Sequence, residues 1–521
     1  MRRHPEGEVV DAVVVGTGAG GAPLLARLAQ AGLRVVALEA GRNWTPREDF
    51  AADEVAASGL YWLGERLVSG DPPEAFGANN SGIGVGGSTL HWGAFIPRPD
   101  ARDLLLRSEL GVGEDWPMPY AALVPYYEEV ERFIGASGPS PYPWERSRRY
   151  PLPPVPLNAP AEAMQAACVA LGVRTCAAPA AVLSRDYSPP GEQPGMPGRQ
   201  ACVNCGHCHQ GCRNGAKTSM DVTYLPLAVA AGAEIRPGCF VHGIERDAAG
   251  RVVAVVYRRD GVDHRQRCAA LFLCAGAVET PRLLLHAGIA NSSGQVGRNY
   301  MAHVATQVWG TFEQEMRPNK GYPSSLITED MVRAPGAGFA GGYLVQSLGI
   351  VPVTWADQVA RGRGLWGQAL VDHLQRYNHV AGIGINGECL PQEGNLLELA
   401  DEADENGVPK VRVRFSYGAN EHSVHAHAEA FMRQVWEAAG ASDLWTLTRS
   451  AHTIGTCRMG GDPGRSVVDG VGRSHDVANL WVCDNSVFPS ALSANPALTI
   501  MALGLRTGDA FLGRGAADRQ G

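Results

Sequence analysis

A glycine triplet near the start of the chain constrains the fold more than any other feature; its members are Gly16, Gly18 and Gly21. The apolar run 8–15 before it predicts a buried strand, and residues 22–31 after it predict a helix. Residues 33–38 predict a second strand that ends at Glu39. A G-x-G-x-x-G pattern between strand and helix, with an acid about 20 positions on, is typical of a dinucleotide-binding βαβ unit.

Each residue of this unit has its own physical task. The first glycine permits a tight turn, the second lets backbone approach a pyrophosphate, and the third lets the helix pack closely on the strand. N–H groups at the helix N-terminus favour phosphate, and Glu39 is expected to accept a hydrogen bond from a ribose hydroxyl. The loop alone does not distinguish FAD from NAD.

Four cysteines crowd into one short segment; they are Cys202, Cys205, Cys208 and Cys212. The spacing C-x2-C-x2-C-x3-C is the one that bacterial ferredoxins use for an iron–sulfur cluster, although Arg213 stands where ferredoxins have proline. Zinc sites usually separate two C-x2-C pairs by a long loop, and disulfides belong to oxidising compartments. We expect a 3Fe-4S or 4Fe-4S cluster, with zinc, disulfides and reduced thiols as the alternatives.

Composition limits the partners and the compartment. At 521 residues the chain is long enough for two or three domains, and a net charge of -8 argues against nucleic acid as a partner. No apolar stretch predicts a transmembrane segment. Eight further cysteines are scattered and read as buried thiols, so we expect a reducing compartment, most simply the cytoplasm. A periplasmic location would need a partner that carries the signal.

Several motifs in the chain resemble those of the glucose–methanol–choline (GMC) oxidoreductase family. The resemblance lies in VGGSTLHWG (85–93), GAVETPRLLLHAGI (276–289), HTIGTCRMG (452–460), NLWVCDNSVFPS (479–490) and NPALT (495–499). It implies an α/β plus α+β fold in which a Rossmann-like FAD-binding domain is interleaved with a substrate domain built on an antiparallel sheet. We expect the FAD-binding domain in 1–95, 200–305 and 446–521. Residues 96–199 and 306–445 would form the substrate domain, with a Pro-, Ser- and Gly-rich surface excursion at 139–200.

The resemblance also assigns roles to single residues. His452 matches the catalytic histidine and Asn495 the second catalytic position, where the family has His or Asn. A neutral imidazole suits removal of a hydroxyl proton as hydride leaves for flavin N5, and an amide can hold the hydroxyl without competing as a base. The implied FAD-binding residues outside the first loop are Gly86, Gly87, Ser88, His91, Trp92, Asp484, Pro496 and Thr499. In some relatives the histidine matching His91 attaches FAD covalently.

These features together predict an FAD-dependent dehydrogenase that oxidises a CH–OH group of an alcohol, sugar or polyol. Electrons would leave through the cysteine cluster to a cytochrome, another acceptor protein or a quinone. The cysteine segment resembles an insert found in sugar- and long-chain-alcohol-oxidising members of the family, and YNHVAGIGINGECLP (377–391) resembles the sugar- and gluconate-oxidising branch. The main alternative is an alcohol oxidase that reduces O2 to hydrogen peroxide, with structural cysteines. An NAD-dependent dehydrogenase would leave the later motifs unexplained.

Overall fold

The computed structural model describes residues 3–70, 81–191, 193 and 195–514. The helices in these ranges are α1 (Gly21–Gln30), α2 (Pro46–Asp49), α3 (Leu106–Leu110), α4 (Val124–Ile134), α5 (Ala159–Ala170), α6 (Tyr224–Ala230), α7 (Gly276–Ala287), α8 (Pro352–Arg363), α9 (Gly367–Leu374), α10 (Ala419–Ala438) and α11 (Ala497–Phe511). The strands are β1 (Val10–Val15), β2 (Val35–Leu38), β3 (Leu67–Ser69), β4 (Cys176–Ala177), β5 (Glu234–Arg236), β6 (Phe240–Arg246), β7 (Val252–Arg259), β8 (Val262–Leu273), β9 (Met301–Val304), β10 (Gln307–Thr311), β11 (Leu326–Thr328), β12 (Tyr343–Leu348), β13 (Val380–Gly387), β14 (Leu396–Ala403), β15 (Pro409–Arg414), β16 (Ser442–Leu447), β17 (Ser450–Ile454) and β18 (Leu480–Val482).

The first sheet places the glycine loop. Its parallel part runs in the order β5-β2-β1-β8-β18, and the long strand β8 also pairs antiparallel with β7, which pairs with β6. Strand β1 reads VDAVVV and is almost wholly buried, as expected for a parallel strand covered on both faces. Helices α6 and α11 pack on α1. The carboxyl ends of β1, β2, β8 and β18 therefore meet at one edge, where such sheets bind ligands.

The second sheet is antiparallel and follows the order β16-β10-β13-β12-β11-β4, with β9 joining β13 and β17 joining β9. Helices α5 and α10 bury apolar side chains against one of its faces. The opposite face turns toward the carboxyl edge of the first sheet. A small third sheet joins β14, β15 and β3. The predicted fold class, a Rossmann-like domain interleaved with an antiparallel-sheet domain, is confirmed, while the domain boundaries stay a prediction.

The Pro-, Ser- and Gly-rich segment contributes to the interior of the molecule. Residues 139–200 do not simply cross the surface, because helix α5 packs under the second sheet and β4 pairs with β11. Asn158 caps α5 by accepting from the Ala161 N–H, and Pro160 stands in the first turn, so these two residues mark a helix start within the segment. Within the described ranges, no helix has the length and apolar character required to cross a membrane.

Candidate active site

A cavity of about 870 Å³ lies between the carboxyl edge of the first sheet and the open face of the second. Its wall begins at Gly16, Gly18 and Glu39 and continues to His452 and Asn495. The predicted dinucleotide loop and the predicted catalytic pair therefore open into the same space. This volume falls in the upper part of the range that small-molecule and cofactor sites occupy.

The glycine loop leaves open space where the sequence analysis expects a pyrophosphate. Gly16 has φ +95°, and a Cβ there would run into the Cys274 carbonyl. A Cβ on Gly21 would run into the carbonyl of Gly16, so helix α1 packs directly on the turn. At Gly18 the nearest atom to an added Cβ is the Gly87 Cα, 3.7 Å away. The first and third glycines are thus required by the protein itself, and the second faces the cavity.

Glu39 ties three segments together at the end of β2. One carboxylate oxygen accepts from the backbone N–H and the hydroxyl of Thr17, at 3.0 and 2.8 Å. The other accepts from the N–H groups of Gly41 and Gly84, at 3.0 and 3.2 Å. Burial raises the pKa of Glu39, and these four donors compensate for its desolvation. A ribose hydroxyl would be a further donor to a carboxylate already in use, so the ribose contact stays a prediction.

Residues 85–93 lie across the glycine loop. The Gly86 N–H donates to the Thr17 hydroxyl at 3.2 Å, and the Ser88 hydroxyl accepts from the Gly82 N–H at 2.9 Å. A short helical turn, Gly87–Leu90, then brings His91 and Trp92 to the cavity wall. Burial, with Lys217 and His209 nearby, lowers the pKa of His91 to about 3, so its ring is neutral at pH 7.

The remaining predicted cofactor residues fall into two groups. Asp484 follows β18, lines the cavity, and accepts from the Gly276 N–H at 2.8 Å and the Thr280 hydroxyl at 2.6 Å. Burial raises the pKa of Asp484. Pro496 also lines the cavity. Thr499 points elsewhere: it is fully buried on α11, and its hydroxyl hydrogen-bonds the Tyr127 hydroxyl at 3.0 Å, which is a packing role between α11 and α4.

His452 sits at an irregularity of strand β17. Its φ is +61°, and the pairing of β17 with β9 shifts register between Ala451 and Ile454. Such irregularities re-aim side chains next to active sites. Here the His452 ring contacts His303 of β9, with 2.9 Å between the two Nδ1 atoms. Because Ala451 is paired with His303, the ladder itself brings the two histidines together.

The hydrogen bonds around His303 settle which nitrogen of His452 carries a proton. His303 Nε2 lies 2.9 and 3.0 Å from the carbonyl oxygens of Ala491 and Leu492, which can only accept, so Nε2 is protonated. In the neutral ring His303 Nδ1 is then an acceptor, and His452 Nδ1 must donate to it. His452 Nε2 therefore carries a lone pair. It is the atom that can take a proton from a ligand.

The imidazole rings of His303 and His452 are both uncharged at pH 7. Burial lowers the pKa of His303 to about 4. Burial first, and then His303 and Arg449, lowers the pKa of His452 well below its usual range. The His452 lone pair is therefore present across the neutral range.

Asn495 completes the arrangement. Its Nδ2 lies 3.4 Å from His452 Nε2, and its Oδ1 accepts from Asn386 Nδ2 of strand β13 at 3.0 Å. The bond from Asn386 turns the Asn495 amide so that its N–H groups face the histidine. A hydroxyl placed between the two would meet a donor and an acceptor. Sequence reasoning missed both His303 and Asn386. His303 is a lone polar residue in an apolar strand with no motif around it, and Asn386 lies in the segment 377–391, whose resemblance assigned no role to a single residue.

The four clustered cysteines carry free thiols, as do the other eight, all within the described ranges. The Sγ atoms of Cys202 and Cys212 each accept a backbone N–H, from Asn204 and Lys217, at 3.3 Å. Among the residues the structure describes, no three His, Cys, Asp or Glu side chains gather closely enough to hold a metal ion. In this arrangement the four thiols are therefore not close enough together to ligate an iron–sulfur cluster.

The cysteine segment nevertheless abuts the cavity. The Lys217 side chain is 1% exposed, and its ammonium donates to the carbonyls of Leu90 and Cys208, at 2.7 and 2.6 Å. The His209 ring bonds the His91 carbonyl at 3.1 Å, and His209 itself lines the cavity. The backbone between Cys208 and His209 is thus fastened to the segment that carries His91 and Trp92.

Comparison with known proteins agrees with this architecture. Two family models, both described as GMC oxidoreductase, match residues 80–305 and 391–504. The chain therefore belongs to the GMC oxidoreductase family. It is 30% identical to the fructose dehydrogenase large subunit of Gluconobacter japonicus, over 96% of this chain and 97% of that protein. It is also 30% identical to 6'''-hydroxyparomomycin C oxidase of Streptomyces lividus, over 98% and 93%. The crystal structure of pyridoxine 4-oxidase from Mesorbium loti superposes with a TM-score of 0.69 at 17% identity, covering 97% of this chain and 100% of that one.

Proposed function

We propose that this GMC oxidoreductase binds FAD and oxidises the CH–OH group of an alcohol, sugar or polyol to a carbonyl. The observation that carries the proposal is the unprotonated Nε2 of His452, which faces the Asn495 amide at the end of a cavity that begins at the glycine loop. Two relatives of similar identity are named a dehydrogenase and an oxidase, so they support the redox chemistry without choosing the electron acceptor.

The chain's residues suit FAD. Gly18 leaves uncrowded backbone in the cavity at the N-terminus of α1, where a pyrophosphate is favoured, and Gly87 packs closely against it. His91 Nε2, on the wall, is buried without a protein partner among the described residues. Its pKa near 3 leaves the imidazole a neutral hydrogen-bonding group beside a bound ring. Bound FAD would accept the two electrons and the hydrogen of the carbinol carbon as hydride.

His452 and its neighbours would handle the other hydrogen. The hydroxyl proton passes to His452 Nε2 while the C–H bond breaks, so the substrate loses one proton and one hydride and becomes a carbonyl. The Asn495 amide donates to the substrate oxygen and holds it against His452. His303 accepts from His452 Nδ1 throughout, which keeps the ring in one tautomer and one orientation.

An external acceptor, either a cytochrome or a quinone, is the proposed destination of the electrons, and O2 reduction to hydrogen peroxide is the alternative. We also propose that Cys202, Cys205, Cys208 and Cys212 take up a 3Fe-4S or 4Fe-4S cluster. Support comes from the free thiols, from N–H groups donated to two of the sulfurs, and from the buried Lys217 side chain, whose Nζ donates to the Cys208 carbonyl. The thiols as placed do not converge, so we assign no electron-transfer step to the cluster. We also propose a reducing compartment such as the cytoplasm, in keeping with the burial of the eight scattered cysteines.

The test is the visible spectrum of anaerobically purified protein, followed by addition of alcohols and sugars. Flavin bands that bleach with a CH–OH substrate support the proposal, and a protein without flavin bands contradicts it. Iron and acid-labile sulfide on the same sample decide the cluster: three or four irons per chain are expected for these cluster types, and none would leave the cysteines structural. Peroxide formed in step with turnover would favour the oxidase alternative.

A further inference from the structure

The second sheet presents two chemically different faces. Val308 and Ile383 point into the apolar cluster that α5 and α10 cover. Because side chains alternate along a strand, their neighbours Gln307 and Gly384 point the other way, and both line the cavity. The face toward the cavity is therefore the floor on which a substrate would lie.

Three neighbouring strands place two glutamines on this floor, one on each side of a glycine. Gly384 of β13 is paired with Gln307 of β10 on one side and with Gln346 of β12 on the other. Directly paired residues point to the same side of a sheet and lie close together. Since Gly384 has no side chain, the two glutamines flank a position where only backbone lies. A Cβ at Gly384 would press on Gln307 Cγ at 3.2 Å and on Leu348 Cδ1 at 3.0 Å.

The amide groups on this floor present both kinds of hydrogen-bonding atom. Gln307 Oε1 accepts from Trp309 Nε1 at 3.1 Å, which leaves the Gln307 NH2 group pointing away from that bond as a donor. Gln346 Oε1 is buried without a hydrogen-bond partner among the described residues, although the side chain lines the cavity. The same holds for Gln358 Oε1 of α8, which borders the floor. Buried amide oxygens without partners are uncommon and indicate an absent donor.

The floor continues into the catalytic pair. Asn386 lies two residues beyond Gly384 on β13 and on the same face, and it donates to Asn495. Two residues of an antiparallel strand span about 7 Å. A hydroxyl held near Gly384 is therefore several carbon atoms away from a carbinol held between Asn495 and His452.

We propose that Gln307, Gln346 and Gln358 form a hydroxyl-binding floor that selects polyhydroxylated substrates, polyols or sugars of four or more carbons, over aliphatic alcohols. Each hydroxyl both donates and accepts, and so satisfies the amide N–H and the unpartnered amide oxygens together. An alkyl chain in the same place would leave them unpaired, which a polar site discriminates against strongly. The inference rests on the proposed CH–OH oxidation, because it names the substrate class of that site.

The test compares six-carbon substrates that differ in hydroxyl content. Anaerobic rapid mixing with a panel of hexitols and hexoses, and with n-hexanol, gives the limiting rate of flavin reduction and the apparent Kd for each. Gln346→Met keeps the shape of the side chain and removes the amide. Gln375→Met, at an exposed position outside the cavity, is the matched control. FAD content and Tm of each variant establish that it is folded.

We expect Gln346→Met to raise the apparent Kd of the best hexitol or hexose about tenfold or more, with n-hexanol changed less than threefold. Reduction by n-hexanol but by none of the polyhydroxylated panel would overturn the inference and leave the proposed function standing. An unchanged Kd in Gln346→Met would also overturn it. If neither class reduces the flavin, and no other alcohol or sugar does, the proposed function fails. Titration of the panel into His452→Ala and into the double variant His452→Ala/Gln346→Met, followed by the flavin difference spectrum, then decides separately whether polyols bind through Gln346.

Discussion

At the scale of single residues, the proposed chemistry depends on where the neutral His452 ring carries its one N–H proton. His303 holds that proton on Nδ1, so Nε2 stays unprotonated. His303 donates to two carbonyls through Nε2, so only its Nδ1 is left to accept from His452. In the proposed mechanism the imidazole of His452 would act as a base through this one atom, Nε2. In a serine-protease triad an aspartate has this orienting role, and here a neutral, buried histidine would have it.

Replacing His303 should slow flavin reduction without loss of bound FAD. His303→Phe keeps an aromatic ring and removes the hydrogen-bond acceptor for His452 Nδ1. The His452 ring can then adopt the other tautomer, with its proton on Nε2, and we expect flavin reduction to slow by about 10- to 100-fold. His303→Asn retains an oxygen acceptor near the Nδ1 position and should retain more of the rate. The measurement is anaerobic rapid mixing with a substrate that reduces the wild type. A Phe variant with bound FAD and the wild-type rate would show that the tautomer is not set by His303.

The lowered pKa of His452 predicts an unusual pH profile. A group whose pKa is depressed below 6.5 stays neutral until the pH falls to the depressed value, so the base remains available in mildly acidic solution. The limiting rate of flavin reduction should therefore be flat from pH 8 to below about pH 6. An inflection at the ordinary histidine value of about 6.5, seen in the same stopped-flow series, would contradict the burial argument.

Residue roles could be predicted only where a motif surrounds the residue. Gly16, Glu39, His452 and Asn495 stand in recognisable segments, and the structure brings all four to one cavity. His303 has no such setting. Its role follows from the pairing of β9 with β17, which are separated by about 150 positions in the chain, and from a positive φ at His452 that no sequence pattern announces.

At the scale of elements, local patterns located the first βαβ unit well. The predicted helix 22–31 is α1, Gly21–Gln30, and the predicted strands 8–15 and 33–38 contain β1 and β2. These elements have continuous apolar runs bounded by glycine. The order of the second sheet was not predictable, since β10 and β13 pair across about 70 residues that hold β11, β12, α8 and α9.

One contact joins two distant segments that both line the cavity. The half-buried carboxylate of Glu54 accepts from the N–H groups of Val353 and Thr354, at 2.8 and 2.7 Å, at the N-terminus of α8. An acid at a helix N-terminus is stabilising by about 0.3–1 kcal/mol. The contact holds α8, with Gln358, against the segment after α2.

Breaking this contact should weaken substrate binding more than catalysis. Glu54→Ala is expected to raise the KM of a polyol a few-fold while the limiting rate of flavin reduction stays within about twofold, because His452 and Asn495 are untouched. Glu48→Ala, at an exposed position of α2, is the control. A fall in the limiting rate with unchanged KM would show that the position of α8 affects flavin reduction and not substrate binding.

At the scale of the whole molecule, the cavity is walled by both large sheets. Gly16 and Asp484 come from the first sheet, and Gln307 and Asn386 come from the second. A cofactor in this space would contact segments from both ends of the chain. Removing it should therefore loosen the molecule as a whole.

Stripping FAD is expected to lower the Tm by several degrees, and adding FAD back should restore it. A ligand at 100 times its Kd stabilises the folded state by about 2.7 kcal/mol. Differential scanning fluorimetry of the stripped protein with FAD, with NAD and without nucleotide provides the comparison. Stabilisation by NAD but not by FAD would contradict the assignment of the cofactor.

The central claim is that His452 is the base of CH–OH oxidation, and the rate of flavin reduction in His452→Ala tests it most directly. With FAD content equal to that of the wild type and a substrate that the wild type oxidises, we expect reduction to slow by about two orders of magnitude or more. An unchanged rate in anaerobic rapid mixing would mean that another group removes the hydroxyl proton, and the account of this site would be wrong.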